Sequence, residues 1–253
     1  MTTWVLLRGL MREKRHWGEF PGVFLDALGA ANIVTLDFPG NGSLHAQTSA
    51  TSVEAMAHHC RAQLQQLGCA PPYRVLALSL GAMVAVAWSE LYPHELERMV
   101  LINTSLAPYS PFYHRLRPSN YHAVIRFLLP GSAAMRESLI LKLTSTQKNR
   151  PEDRQAILDK WIAYAQECPI TRANMLRQLK SAMCFRAAST PPSVPVLLLA
   201  GQQDQLVNVK CTLKLAQHWH CAIRVHPSAG HDLPLDDGEW VARQVRDWVG
   251  CAG

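Results

Sequence analysis

Ser79, Asp204 and His231 are the residues of this chain whose types and surroundings suit covalent hydrolytic chemistry. A serine hydroxyl is a weak nucleophile at neutral pH. A neutral imidazole can take its proton, and a carboxylate can hold that imidazole in the right tautomer and stabilise its charged form. The run Val75-Leu76-Ala77-Leu78 leads straight into Ser79-Leu80-Gly81 and an Ala/Val-rich stretch, so Ser79 is expected at a sharp strand-to-helix turn. Such a turn presses the residues two positions either side close together and requires small ones, here Ala77 and Gly81. Asp204 follows the run Leu198-Leu199-Ala200-Gly201, and His231 follows the turn-rich Pro227-Ser228-Ala229-Gly230. A serine between small residues often just begins a helix, most of the eleven histidines are expected to be structural, and Asp204 competes with a helix-capping role that Asn208 could fill itself. The order Ser, Asp, His along the chain therefore carries more weight than any one residue. An oxyanion formed at the serine needs backbone N–H donors just after the nucleophile and in the loop after the first strand, positions that Leu80 and Leu10 occupy.

Apolar, branched runs of strand length must position these groups: Trp4–Leu7, Ile33–Leu36, Val75–Leu78, Met99–Ile102, Val194–Leu199 and Ala222–Val225. Pro195 cannot donate to a central ladder, so its strand is expected to begin just after it. Helix-length stretches lie between the runs, at Val53–Leu67, Ala82–Leu91, Val209–Trp219 and Glu239–Trp248. This alternation predicts an α/β, three-layer architecture: a mostly parallel sheet with helices on both faces. From Pro111 to Pro192 no strand run occurs, and Tyr121–Leu129, Ala134–Leu143, Arg154–Gln166 and Thr171–Met183 read as helices. Residues 111–192 are thus expected to form a helical lid inserted into a core of 1–110 and 193–253. There is no internal repeat and no low-complexity segment.

The 253 residues, 48% of them apolar, suffice for one large core. No run of about 18 apolar residues is present, and Arg8, Arg12, Lys14 and Arg15 follow the first apolar run where a secretory leader would have the reverse order, so a cytoplasmic protein with no integral membrane segment is expected. The seven cysteines are scattered without a C-x-x-C pair, which signals neither a disulfide framework nor a metal site. No metal, flavin or nucleotide signature is visible, and no cofactor is expected. The net charge of +6 is uneven: residues 111–192 carry thirteen Lys and Arg against five Asp and Glu, leaving the remainder slightly acidic. Solvated helix faces account for such charge in most proteins; an anionic substrate or an acidic carrier protein is the functional alternative, and nucleic acid is disfavoured because no recognition signature accompanies the charge.

Taken in order, Leu7-Arg8-Gly9-Leu10, Asp37-Phe38-Pro39-Gly40-Asn41-Gly42, Ala77-Leu78-Ser79-Leu80-Gly81, Gln203-Asp204 and Ala229-Gly230-His231 resemble the successive signatures of the α/β-hydrolase superfamily. The chain is similar to its small lidded serine esterases, the pimeloyl-carrier-protein methyl ester esterase group, in length, in the helical lid and in the leucine after the nucleophile. The resemblance implies an oxyanion hole from Leu10 and Leu80 and a supporting, non-chemical role for the Asp37–Gly42 loop. It implies a serine hydrolase cleaving a carboxylic ester or thioester through an acyl-enzyme. Alanine replaces the first glycine of the usual Gly-x-Ser-x-Gly, and Arg8-Gly9 stands where relatives often have His-Gly, placing a positive charge near the site. With the first run at Trp4, the N-terminal hairpin of many relatives is expected to be missing. A serine nucleophile argues against dehalogenase and epoxide hydrolase members, which use aspartate. Arg8, Phe112, Phe127, Leu128 and Trp161 are the expected substrate contacts, each weighed against ordinary packing. A carbon–carbon hydrolase or amidase using the same triad, and a catalytically weak ligand receptor, are the alternatives; the sequence says nothing of oligomeric state.

Overall fold

The computed structural model describes residues 2–29, 31–129, 131–146 and 151–251. Every expected apolar run becomes a strand: β1 (Thr2–Leu7), β2 (Ala31–Leu36), β3 (Tyr73–Leu78), β4 (Leu96–Ile102), β5 (Val196–Gly201) and β6 (Ala222–His226). The sheet order is β2-β1-β3-β4-β5-β6. All five pairings are parallel, so the sheet is wholly rather than mostly parallel among the described residues. Pro195 precedes β5 and contributes only its carbonyl, which accepts the Met99 N–H at 3.0 Å.

Alternate residues of each strand face opposite layers. Val5, Leu7, Val75, Ala77 and Leu101 pack on one side with α2 (Val53–Gln66) and α3 (Leu80–Leu91), through Met56, Cys60, Leu64, Val84 and Trp88. Trp4, Leu6, Leu76, Val100 and Leu199 pack on the other with Phe20 and Phe24 of α1 (Phe20–Leu28). Both faces are covered, which is why the strands read as nearly continuous apolar runs. Helix α2 shows its logic in sequence: Ser52 accepts the Ala55 N–H at 3.2 Å as N-cap, and Val53, Met56, Ala57, Cys60 and Leu64 form its buried stripe. Helix α1 was not foreshadowed by the sequence because Pro21 and Gly22 interrupt its pattern; Pro21 is tolerated in the first turn, where its missing N–H has no helical acceptor to lose.

Between β4 and β5 the described residues form the α-helices α4 (Phe112–Arg115), α5 (Tyr121–Leu128), α6 (Ala133–Thr144), α7 (Pro151–Glu167) and α8 (Arg172–Cys184). The core resumes with β5, then α9 (Lys210–Trp219) and α10 (Leu233–Gly250). Leu215 and Trp219 of α9 join the α2/α3 layer, and Val241 and Val245 of α10 join the α1 layer. Helix α10 is broken at Asp237, whose φ and ψ are −156° and 78°; the expected Glu239–Trp248 helix is the part beyond that kink. The order of strands reverses direction at β1, so a crevice opens between the C-terminal ends of β1 and β3, the place where open parallel sheets gather their functional loops. Among the described residues no helix is long and apolar enough to cross a membrane.

Candidate active site

Ser79 stands at the end of β3 as the residue before α3, with φ 56° and ψ −113°. A non-glycine residue in that region costs about 1–3 kcal/mol and persists only where its surroundings hold it. The hold is visible: the Ser79 N–H donates to the Ile102 carbonyl at 2.9 Å, and its own carbonyl accepts from Ala82 at 3.1 Å as α3 begins. Gly81 explains the small-residue requirement. A Cβ there would lie 2.5 Å from the Leu7 carbonyl oxygen and 2.6 Å from that of Arg8, so α3 can start only if nothing projects between it and the end of β1.

Asp204 is buried in the loop after β5. Its Oδ1 accepts the N–H groups of Leu206 (2.8 Å) and Val207 (2.9 Å), and its Oδ2 bonds the Nδ1 of His231 at 2.7 Å. It therefore does order its own loop, yet keeps one oxygen for the imidazole, while Asn208 serves the start of α9 by accepting from Lys210 at 3.0 Å. The loops bearing acid and base lie in direct contact: the Gln203 N–H donates to Ala229 at 3.0 Å, and a side chain at Gly201 would run into the Ala229 and Gly230 carbonyls. Burial works against a charged His231, but the Asp204 carboxylate, through its charge and its hydrogen bond, and Asp232 after it outweigh burial and raise its pKa above the ordinary imidazole value. Ser79 and His231 line one cavity of about 430 Å³. Among the described residues no direct hydrogen bond joins them.

Leu10 and Leu80 also line this cavity. The Leu80 amide opens α3 and has no intrahelical acceptor. The Leu10 amide has no acceptor among the described residues. Two donors beside one serine can stabilise an oxyanion formed there. Phe112 and Phe127 lie on the cavity wall.

Of two other expected contacts, one lies away from the cavity and one on its wall. Trp161 does not line the cavity; it is buried between the helical segment and the body, 4.4 Å beneath the Arg12 guanidinium and edge-on to His16 at 5.3 Å. Arg8 reaches the cavity wall but brings no free charge: its two terminal nitrogens grip Asp232 at 3.0 and 2.5 Å, and its guanidinium covers the Trp17 ring at 4.8 Å. It ties the loop after β1 to the residue following His231. The side chain of Leu128 lies outside the described residues.

Several polar residues complete the frame, and of these Asn103, Gln178 and Asp236 have no sequence signal. Asn103, at the end of β4, donates to the carbonyls of Gly230 (3.0 Å) and His231 (2.7 Å) and accepts from Gly201 at 2.9 Å, spanning the acid and base loops. Gln178 of α8 is wholly buried; it accepts the Met11 N–H at 2.9 Å and donates to Asn41 at 2.8 Å and Ser49 at 3.0 Å. Asp37 accepts the Lys14 N–H at 2.7 Å, and Asn41 donates to the Arg12 carbonyl at 3.0 Å, so the Asp37–Gly42 loop holds the Leu10 loop from outside the cavity. Asp236 accepts from Gly230 at 2.6 Å and from Thr146 at 3.1 and 3.0 Å, joining the end of α6 to the His231 loop.

The model of the alpha/beta hydrolase family matches residues 4–244. The chain belongs to this family. Among curated proteins the chain is 23% identical to the biotin biosynthesis bifunctional protein BioHC of Teredinibacter turnerae, over 97% of its own length. It spans only 44% of that relative. Among solved structures the chain resembles a thermophilic esterase from Thermogutta terrifontis, with TM-score 0.76 and 21% identity over 98% of this chain and 89% of that one. It also resembles the enol-lactonase of Burkholderia xenovorans LB400, with TM-score 0.79 and 17% identity over 98% and 91%. At such identities the likeness to these structures is one of fold.

Proposed function

We propose that this chain is a serine esterase that cleaves a carboxylic ester or thioester through an acyl-enzyme. The observation that carries the reading is the convergence on one cavity of a serine in a strained turn and a histidine bonded to a buried carboxylate. In this reading Ser79 Oγ attacks the substrate carbonyl carbon while His231 takes the hydroxyl proton, with Asp204 holding the ring and stabilising its charge. The carbonyl oxygen becomes an oxyanion facing the Leu10 and Leu80 amides. Collapse of that intermediate breaks the bond to the leaving alcohol or thiol, which receives the proton from His231. Water then attacks the Ser79 ester with His231 again as base, and the acid is released.

Residues 111–192 act as a lid in this reading and supply the apolar wall of an acyl pocket through Phe112 and Phe127. The thirteen basic residues of that stretch against five acidic ones favour a substrate with an anionic part, or one presented by an acidic carrier protein. Hydrolysis of a p-nitrophenyl ester series from acetate to palmitate, by wild type and Ser79→Ala at low and high salt, tests the proposal. Saturable turnover lost by a factor of about 10³ or more in the variant is the expected result. Equal rates from both proteins would remove Ser79 from the chemistry.

A further inference from the structure

A helix lying on a globular body ordinarily buries an apolar stripe. Helix α8 buries a polar one: Asn174, Gln178 and Ser181 are covered, with Met175 beside them, while Leu176 and Met183 are 49% and 67% exposed. Most of that stripe is directed at the loop after β2. Asn174 accepts the Ser49 N–H at 2.9 Å and donates to the Gln47 carbonyl at 2.9 Å, and the Ser181 hydroxyl donates to the Ala50 carbonyl at 3.1 Å. Hydrogen bonds contribute little net free energy each, because water can replace them, but they fix direction and register. The seating of α8 is therefore specified by geometry more than by apolar burial.

One bond of the stripe goes to the loop after β1. Gln178 accepts the Met11 N–H at 2.9 Å. Met11 is the third residue of the turn Gly9-Leu10-Met11-Arg12, which the Arg12 N–H closes on the Gly9 carbonyl at 3.2 Å. Its φ is 58°, the left-handed region that glycine favours and a side chain resists. Turning over the Leu10–Met11 peptide would relieve that strain, and the bond to Gln178 opposes it. The same turn lies against the nucleophile: a Cβ on Gly9 would stand 3.2 Å from the Ser79 Cβ and 3.7 Å from its Oγ. The direction of the Leu10 N–H thus depends on a strained turn whose central peptide is held from α8.

We propose that Gln178 is a positioning residue for the oxyanion: it fixes the Leu10–Met11 peptide, and through it the aim of the Leu10 N–H, so that the site is complete only while α8 is seated on the body. This rests on the serine-esterase reading for the role of Leu10. Gln178 also donates to Asn41 at 2.8 Å and to the Ser49 hydroxyl at 3.0 Å, so its amide is held at both ends and its oxygen stays turned toward Met11. A misaimed oxyanion donor weakens the transition state and leaves ground-state binding nearly alone, which separates this role from one in substrate binding.

The test measures kcat and KM for p-nitrophenyl butyrate together with hydrogen exchange at the Arg12 amide, which closes the turn. In Gln178→Met, kcat should fall about 10- to 100-fold with KM within about twofold of wild type, and the Arg12 amide should exchange about tenfold faster or more. Gln178→Glu, which keeps an acceptor for Met11, should recover part of kcat. Ser49→Ala removes bonds to Gln178 and Pro39 but leaves the Met11 acceptor in place, so it should lower the unfolding midpoint and keep kcat. An unchanged kcat in folded Gln178→Met, a loss carried by KM, unchanged Arg12 exchange, or an equal fall of kcat in Ser49→Ala overturns the proposal. If Gln178→Met does not fold, Gln178→Asn, whose shorter side chain withdraws the acceptor, is held to the same outcomes. If wild type hydrolyses no ester, the esterase reading fails and exchange decides alone: faster exchange at Arg12 in the variant retains Gln178 as the clamp of the turn, and unchanged exchange discards it.

Discussion

A neutral imidazole is the form that can take a proton from a serine, so the environment of His231 makes a statement about pH. The Asp204 pairing raises its pKa against the opposing effect of burial. The imidazole is then protonated below the raised value and free to act as base above it. Measured as kcat/KM against pH, activity should climb through an apparent pKa above the usual value of about 6.5. Asp204→Asn takes away the charge that raises His231 and the acceptor that selects its tautomer. The expected result is kcat lower by about 10³–10⁴-fold with the rising limb of the profile moved to lower pH. A profile unmoved by Asp204→Asn would mean that another group titrates.

At the scale of elements, the base is placed by what its loop is tied to. Asp236, in the first turn of α10, receives the Gly230 N–H, the Ser145 hydroxyl at 2.5 Å and two donors of Thr146, so a single carboxylate joins α6 to the residue before His231. The Asp232 N–H donates to the Thr144 carbonyl at 2.7 Å and adds a second tie between the same elements. Asp236→Ala would leave the buried Gly230 amide without its partner. Urea unfolding should show a loss of about 1–3 kcal/mol, and turnover should fall because the His231 loop loses one of its supports. Asp236→Asn, which keeps an acceptor oxygen, should recover part of both. An unchanged unfolding midpoint in Asp236→Ala would assign the tie no energetic weight.

For the molecule as a whole, charge is unevenly divided: the helical stretch between β4 and β5 is strongly basic and the rest mildly acidic. Charges exposed on such a surface act over roughly a Debye length, about 10 Å at 0.1 M salt. If the basic stretch receives an acidic carrier, hydrolysis of a carrier-bound acyl thioester should slow steeply as ionic strength rises, mainly through association rate. A short neutral ester should respond much less. Equal salt dependence of the two substrates would show that the charge is a solvated surface and takes no part in substrate delivery.

Local order and local chemistry determine much of this protein before any folding is considered. The continuous apolar runs, the turn residues around Ser79 and the succession of Ser79, Asp204 and His231 are written in short stretches, and so the strands, the layers and the candidate triad are legible there. Pairing between distant residues has no such local mark. Nothing near Arg8 in the chain announces Asp232, 224 positions away, so the clasp that answers its charge is visible only in the fold. Gln178, Asn103 and Asp236 are ordinary polar residues in sequence and become the frame of the site only because the tertiary fold buries them against loops with unpaired backbone groups. Trp161 lost its expected place for the same reason: a helical pattern says which side chains are apolar, but which surface they meet is decided by how α7 lies on the body.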